Sequence, residues 1–219
     1  MGGCVNVLVT SGASEISQLI VGGLGDTHAV RLTDLDAGDG IVVCELGHDE
    51  ATDRLCEGID AIVLVCEPPD MLESDQIDYY SRRVYNLLNA ATEQGISQAV
   101  LVSSLELFGT LDPSFEIDEQ WAPAVTPDIG ILRLHIAEFV CREFARSRQL
   151  DVTCLRFGKV VDGAPAEDET TGTAVIDTVR VALADPSGGW SVFHVVSSGT
   201  RFLTDRIEKR LDVQPRVTS

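Results

Sequence analysis

The chain has 219 residues, 44% of them hydrophobic, and a formal net charge of −19 from 35 acidic against 16 basic side chains. So acidic a surface repels nucleic acid and anionic membranes, which removes those partners from consideration. The length is enough for a sizeable core in one domain, and no apolar run reaches the 18 residues of a transmembrane span.

In chain order, Val5–Val9 reads as a strand and Glu15–Leu24 as an amphipathic helix, joined by a turn of small residues. His28–Leu32 is a second strand ending at Asp34, and Ile41–Glu45 a third. A helix over Asp49–Glu57 leads to AIVLVC (Ala61–Cys66), an apolar run that fits a strand buried on both faces. A long helix over Gln76–Gln94 stops at Gly95, and Ala99–Ser103 follows as a strand. Ile129–Ser147 is a second long helix and Val152–Arg156 another strand. Asp162–Gly172, DGAPAEDETTG, has the composition of an exposed loop. The tail alternates a helix (Ala174–Ala184), a strand (Val192–Val196) and a short helix (Arg201–Leu211). Strands alternating with helices predict an α/β fold with a doubly wound, mostly parallel sheet. We expect one domain over residues 1–219, with a nucleotide-binding core (1–160) and a reduced C-terminal region (161–219).

The opening MGGCVNVLV lacks a basic n-region and has Asn6 where a myristoylation signal needs Ser or Thr, so neither secretion nor lipidation is expected. The cysteines (Cys4, Cys44, Cys56, Cys66, Cys141 and Cys154) form no CxxC pair and mostly lie in apolar runs. They read as buried free thiols of a cytoplasmic protein, and neither disulfides nor a metal site is expected.

VLVTSGASEISQLI (Val7–Ile20) is a strand, a small-residue turn and a helix start, the opening of a Rossmann domain. It resembles the TGxxGxxG opening of the extended short-chain dehydrogenase/reductases, the NAD-dependent epimerase/dehydratase family. Ser11, Ser14 and Ser17 stand at the three glycine positions, and Gly12 falls between them. A serine held in a left-handed conformation costs about 1–2 kcal/mol. The helix N-terminus still offers N–H groups to an anion. GIDAIVLVCEPP (Gly58–Pro69), the stretch Tyr85–Gly109 ending in SSLELFG, LDVTCLRFGKVVDG (Leu150–Gly163) and WSVFHVVSSG (Trp190–Gly199) resemble successive segments of the same family. The resemblance implies a Rossmann fold and an NAD site involving Thr10, Gly12, Ser14, Glu15, Ile16, Asp34 and Cys66. In the family the acidic residue at the Asp34 position accepts the adenosine ribose hydroxyls and favours NAD over NADP.

Family catalysis uses a Tyr-x-x-x-Lys pair, a Ser or Thr after the fifth strand, and often an Asn on the preceding helix. Aligned on SSLELFG, the resemblance places Ser104 at the Ser position, Ile129 at the Tyr position, Arg133 at the Lys position and Tyr80 near the Asn position. Isoleucine has no transferable proton, and arginine is no base near neutral pH. Tyr80 and His135 are the nearest substitutes for the lost phenol. A degenerate, nucleotide-sensing or assembly member is therefore expected. An active NAD(P)-dependent oxidoreductase or epimerase/dehydratase with non-standard residues, and a structural homodimer without ligand, remain alternatives. The family also pairs two helices with their copies in a second subunit. Here that implies a homodimer through residues 76–94 and 129–147, with stripes Tyr80, Val84, Leu87, Leu88, Ala91 and Ile129, Leu132, Ile136, Phe139, Val140.

Overall fold

The computed structural model describes residues 4–67, 71–186 and 188–216. The first three residues of the MGGC opening, and Pro68 and Pro69 of GIDAIVLVCEPP, lie outside them. The main sheet has seven strands: β1 (Asn6–Val9), β2 (Ala29–Asp34), β3 (Ile41–Val43), β4 (Ala61–Val65), β5 (Gln98–Ser104), β6 (Asp151–Phe157) and, last in the chain, β9 (Trp190–Val195). Their order is β3-β2-β1-β4-β5-β6-β9, with every pairing parallel. The chain winds outward from β1 to β3, crosses back beside β1 at β4, and winds the other way. The reversal opens a crevice at the carboxyl ends of β1 and β4, where ligands bind in folds of this kind.

Alternation along each strand feeds two cores. Leu8, Ile62, Leu64 and Leu101 pack on one side of the sheet, while Val7, Val9, Val63 and Val65 pack on the other. That double burial explains why the strands read as unbroken apolar runs. The first face is covered by α2 (Glu50–Cys56), α4 (Val84–Glu93) and α5 (Ile129–Arg146). The second is covered by α1 (Glu15–Leu24), α6 (Gly172–Ala184) and α7 (Asp205–Leu211). Side-chain caps begin several helices: Ser14 for α1, Asp49 for α2, Asp128 for α5 and Thr171 for α6.

Several expectations are corrected. The long helix runs from Glu73 to Glu93 rather than Gln76–Gln94, and it is not uniform. It comprises α3 (Glu73–Asp78), a π-helical turn (Tyr79–Arg83) and α4. The stripe Tyr80, Val84, Leu87, Leu88, Ala91 faces the sheet and is buried, so it cannot meet a second subunit. A 3-10 turn (Leu105–Phe108) follows β5. Within Asp162–Gly172, β8 (Glu169–Thr171) pairs with β7 (Lys159–Val161), and Thr170 is fully buried with its hydroxyl on the Val195 carbonyl. A loop composition concealed this because the pairing depends on a close backbone approach. A Cβ at Gly158 would collide with the Asp168 carbonyl. The last helix starts at Asp205, not Arg201, since Phe202 and Leu203 turn inward beside Ile117. The cysteines are free, all buried except Cys4.

One ion pair is built into the first core. The Arg156 guanidinium on β6 donates two hydrogen bonds to Glu138 on α5, at 2.8 and 2.6 Å, with both residues at most 5% exposed. Ser103 on β5 donates to the same carboxylate at 2.8 Å. Removing one partner of such a pair leaves an uncompensated buried charge. The Glu138→Ala variant is therefore expected to lose about 3–5 kcal/mol of stability by urea titration.

Candidate functional site

A cleft of about 580 Å³ opens at the carboxyl ends of β4, β5 and β6. Its walls come from the start of α1 (Glu15, Ile16), the end of β4 (Cys66), the β5 terminus (Ser103, Ser104), α5 (Arg133, Leu134) and the β6–β7 turn (Gly158, Lys159). It touches the switch point at the start of α1 and the end of β4, and extends from there over β5 and β6.

The turn after β1 folds on itself. Ser11 adopts φ +52°, the left-handed region that glycine would occupy without strain. Its hydroxyl donates to the Val65 carbonyl at 3.1 Å. The Ser14 hydroxyl accepts the Ser17 N–H at 3.2 Å and donates to the Ser17 hydroxyl at 3.0 Å, while Ser17 donates to the Thr10 carbonyl at 2.8 Å. Each serine at a glycine position is thus engaged inside the protein. The N–H groups of Gly12, Ala13 and Ser14 are also taken, by Thr33, Asp34 and Ser11. The first two N–H groups of α1, those of Glu15 and Ile16, have no acceptor among the described residues, and both residues line the cleft.

The sequence-derived site residues divide accordingly. Glu15, Ile16, Cys66, Ser104 and Arg133 line the cleft. Thr10, Gly12, Ser14 and Asp34 do not. Thr10 is buried and its hydroxyl accepts the Val65 N–H at 3.0 Å, which stitches β1 to β4. Asp34 is 3% exposed, and its carboxylate accepts the N–H groups of Ala13 and Leu35 at 2.8 and 2.7 Å. It braces the turn, with one lone pair left on each oxygen.

At the expected catalytic positions, Ile129 is outside the lining. The Arg133 guanidinium donates to the Cys66 carbonyl at 2.8 Å. The Ser104 hydroxyl accepts the Glu106 N–H at 3.1 Å, capping the 3-10 turn. Tyr80 is fully buried and absent from the lining; His135 is half-buried and also absent from it. Burial pushes the Cys66 thiol well above its ordinary pKa, with Cys141 and Glu138 adding to the shift against Arg133. It stays a neutral thiol. Sequence reasoning missed Glu67, Glu106, Lys159 and Asp162, all in the lining. The last two sit just past the LRFG stretch, where the position after a β6 terminus was the available signal.

A nucleotide fits this arrangement at its phosphate end. Unpaired N–H groups at a helix N-terminus and a guanidinium face one crevice.

Comparison with known proteins agrees with the geometry. No curated protein matches the sequence. Among solved structures, a mutated uronate dehydrogenase superposes with a TM-score of 0.83 at 22% identity, covering 100% of this chain and 83% of that one. UDP-N-acetylglucosamine 4-epimerase from Bacillus cereus gives 0.79 at 15% identity over 98% and 95% of the two chains. A short-chain dehydrogenase/reductase superfamily protein from Agrobacterium tumefaciens with bound NAD gives 0.80 at 17% over 97% and 93%. These likenesses establish the Rossmann-type short-chain dehydrogenase/reductase fold. The profile described as NAD(P)H-binding matches residues 26–182, starting just after α1, and by that match the chain belongs to the NAD(P)H-binding family.

Proposed function

We propose that this chain is an epimerase/dehydratase-like protein that holds a nicotinamide dinucleotide without turning over substrate, serving as a sensor, regulator or assembly subunit. One observation carries the reading: no phenol lines the cleft, and isoleucine stands where the family's tyrosine would exchange a proton. A bound nicotinamide supplies hydride exchange. Hydride exchange at a carbinol or carbonyl carbon also needs a proton moved at the oxygen.

The residues on hand bind better than they react. The Glu15 and Ile16 N–H groups meet a diphosphate at the positive end of α1. Arg133 adds a fixed positive charge. Asp34, buried at the end of β2 with its carboxylate held by the Ala13 and Leu35 N–H groups, acts at most through its charge, which is what favours NAD over NADP in this reading. Glu15, Glu67, Glu106 and Asp162 make the cleft mouth acidic and weaken the hold on any phosphate.

A second reading has its own support, because Glu106 lies two residues beyond Ser104 in the same lining. A carboxylate there could take the proton in an active oxidoreductase. Calorimetry should show NAD⁺ or NADH binding. At 100 times Kd, thermal unfolding should rise by about 5–11 °C. NADH consumption over a panel of sugar and uronate carbonyls should stay at background. Turnover abolished by Glu106→Gln would establish the active enzyme instead. No binding of any nicotinamide nucleotide would overturn the proposal.

The homodimer belongs to the same proposal. Tyr85 on α4 and Phe139 on α5 are 51% and 49% exposed, and Arg142 lies over the Phe139 ring at 5.5 Å. Half-buried Leu132, Ile136 and Val140 share that helix. Apolar exposure of this kind marks an interface. Sedimentation velocity should give a dimer, and Phe139→Glu should convert it to a folded monomer. A monomeric native chain would rule the interface out.

A further inference from the structure

The cleft lies on one side of the switch point. Its lining starts at Glu15 and Ile16 and runs past Cys66, Ser104 and Arg133 to Lys159 on the β6–β7 turn. No residue of β2 or of the β1–α1 turn belongs to that lining. In folds of this kind a dinucleotide spans the switch point, with its adenosine ribose on the acidic residue that ends β2.

The β2 side is closed by the groups that an adenosine half would need. Asp34 is 3% exposed, and each carboxylate oxygen accepts a backbone N–H, from Ala13 at 2.8 Å and from Leu35 at 2.7 Å. Pulling Asp34 onto a ribose would leave those N–H groups without an acceptor, a penalty that opposes binding there. The Gly12 and Ser14 N–H groups are held by the Thr33 and Ser11 carbonyls, and the Gln18 side-chain amide donates to the Gly12 carbonyl at 2.6 Å. Leu32 fills the space beside Gly12, where an added Cβ would lie 2.7 Å from the leucine Cγ. Ser11 and Ser17 are buried with their hydroxyls on the Val65 and Thr10 carbonyls.

The other side is open and chemically complete for one nucleotide unit. The Glu15 and Ile16 N–H groups are without acceptors among the described residues. Arg133 and Lys159 bring positive charge from α5 and from the β6–β7 turn, and Leu19, Phe157 and Val160 add apolar wall. We infer that the cleft binds a single nucleotide unit, a ribose 5′-phosphate carrying a planar nicotinamide ring, and that the adenosine half of a dinucleotide adds no affinity. NAD(H) is then held by its nicotinamide mononucleotide half, and the free mononucleotide binds as well as the whole. This rests on the nucleotide-binding reading above and names the half of the ligand that carries it.

The test is calorimetric titration of the full chain with NADH, with reduced nicotinamide mononucleotide, and with ADP-ribose as a competitor of NADH. The mononucleotide is expected to bind no more than about threefold weaker than NADH, and ADP-ribose to displace nothing. A larger preference for NADH, or its displacement by ADP-ribose, would overturn the inference and leave the dinucleotide reading standing. Binding of the mononucleotide without NADH would uphold the inference and overturn that reading. Binding of neither would overturn both.

Discussion

The Glu138–Arg156 pair sets the geometry on which the crevice depends. It joins α5 to β6, draws β5 in through Ser103, and accepts the Cys154 thiol at 3.5 Å on the same carboxylate oxygen. Arg156 also lies over the Phe108 ring at 5.2 Å, so the 3-10 turn after β5 packs on the cation. Arg133 and Leu134, about one helical turn before Glu138, are thereby held at the cleft. His194 is the register partner of Arg156 on β9, and burial together with Arg156 pushes its pKa down to about 3. Its imidazole packs as a neutral ring between Phe108 and Phe202.

Across the sheet, the serine turn solves a different problem. Glycines at these positions leave room for phosphate and leave the backbone unoccupied. Serines fill that room and must satisfy their hydroxyls, and they do so on the Val65 carbonyl, on each other and on the Thr10 carbonyl. The strain of Ser11 at φ +52° is offset by a hydrogen bond that ties β1 to β4. The turn becomes a brace of the switch point, and the open donors move to the first turn of α1.

The fold was legible because a parallel sheet buried on both faces writes each strand as an apolar run, as in AIVLV. Helix bounds were legible where a cap marks them, as Asp128 does ahead of Ile129. The π turn was not, since its inward tyrosines fit an ordinary helical stripe equally well. The β7–β8 pair was hidden because Thr170 is buried by the chain around it, not by its own pattern. For the site, family alignment singled out Ser104 and Arg133, and both line the cleft. It put Tyr80 near the chemistry, whereas the ring is fully buried and outside the lining. It gave Asp34 a ligand-facing role where the structure shows a carboxylate already engaged by two backbone amides.

The crevice sets donors on its inner wall against carboxylates at its mouth. The α1 amides and Arg133 donate, and none of them gives up a proton near neutral pH. The buried thiol in the lining, Cys66, is held in its neutral form by the burial that surrounds it. The carboxylates sit at the mouth, exposed to water, where Glu15, Glu67 and Glu106 retain solvent contact.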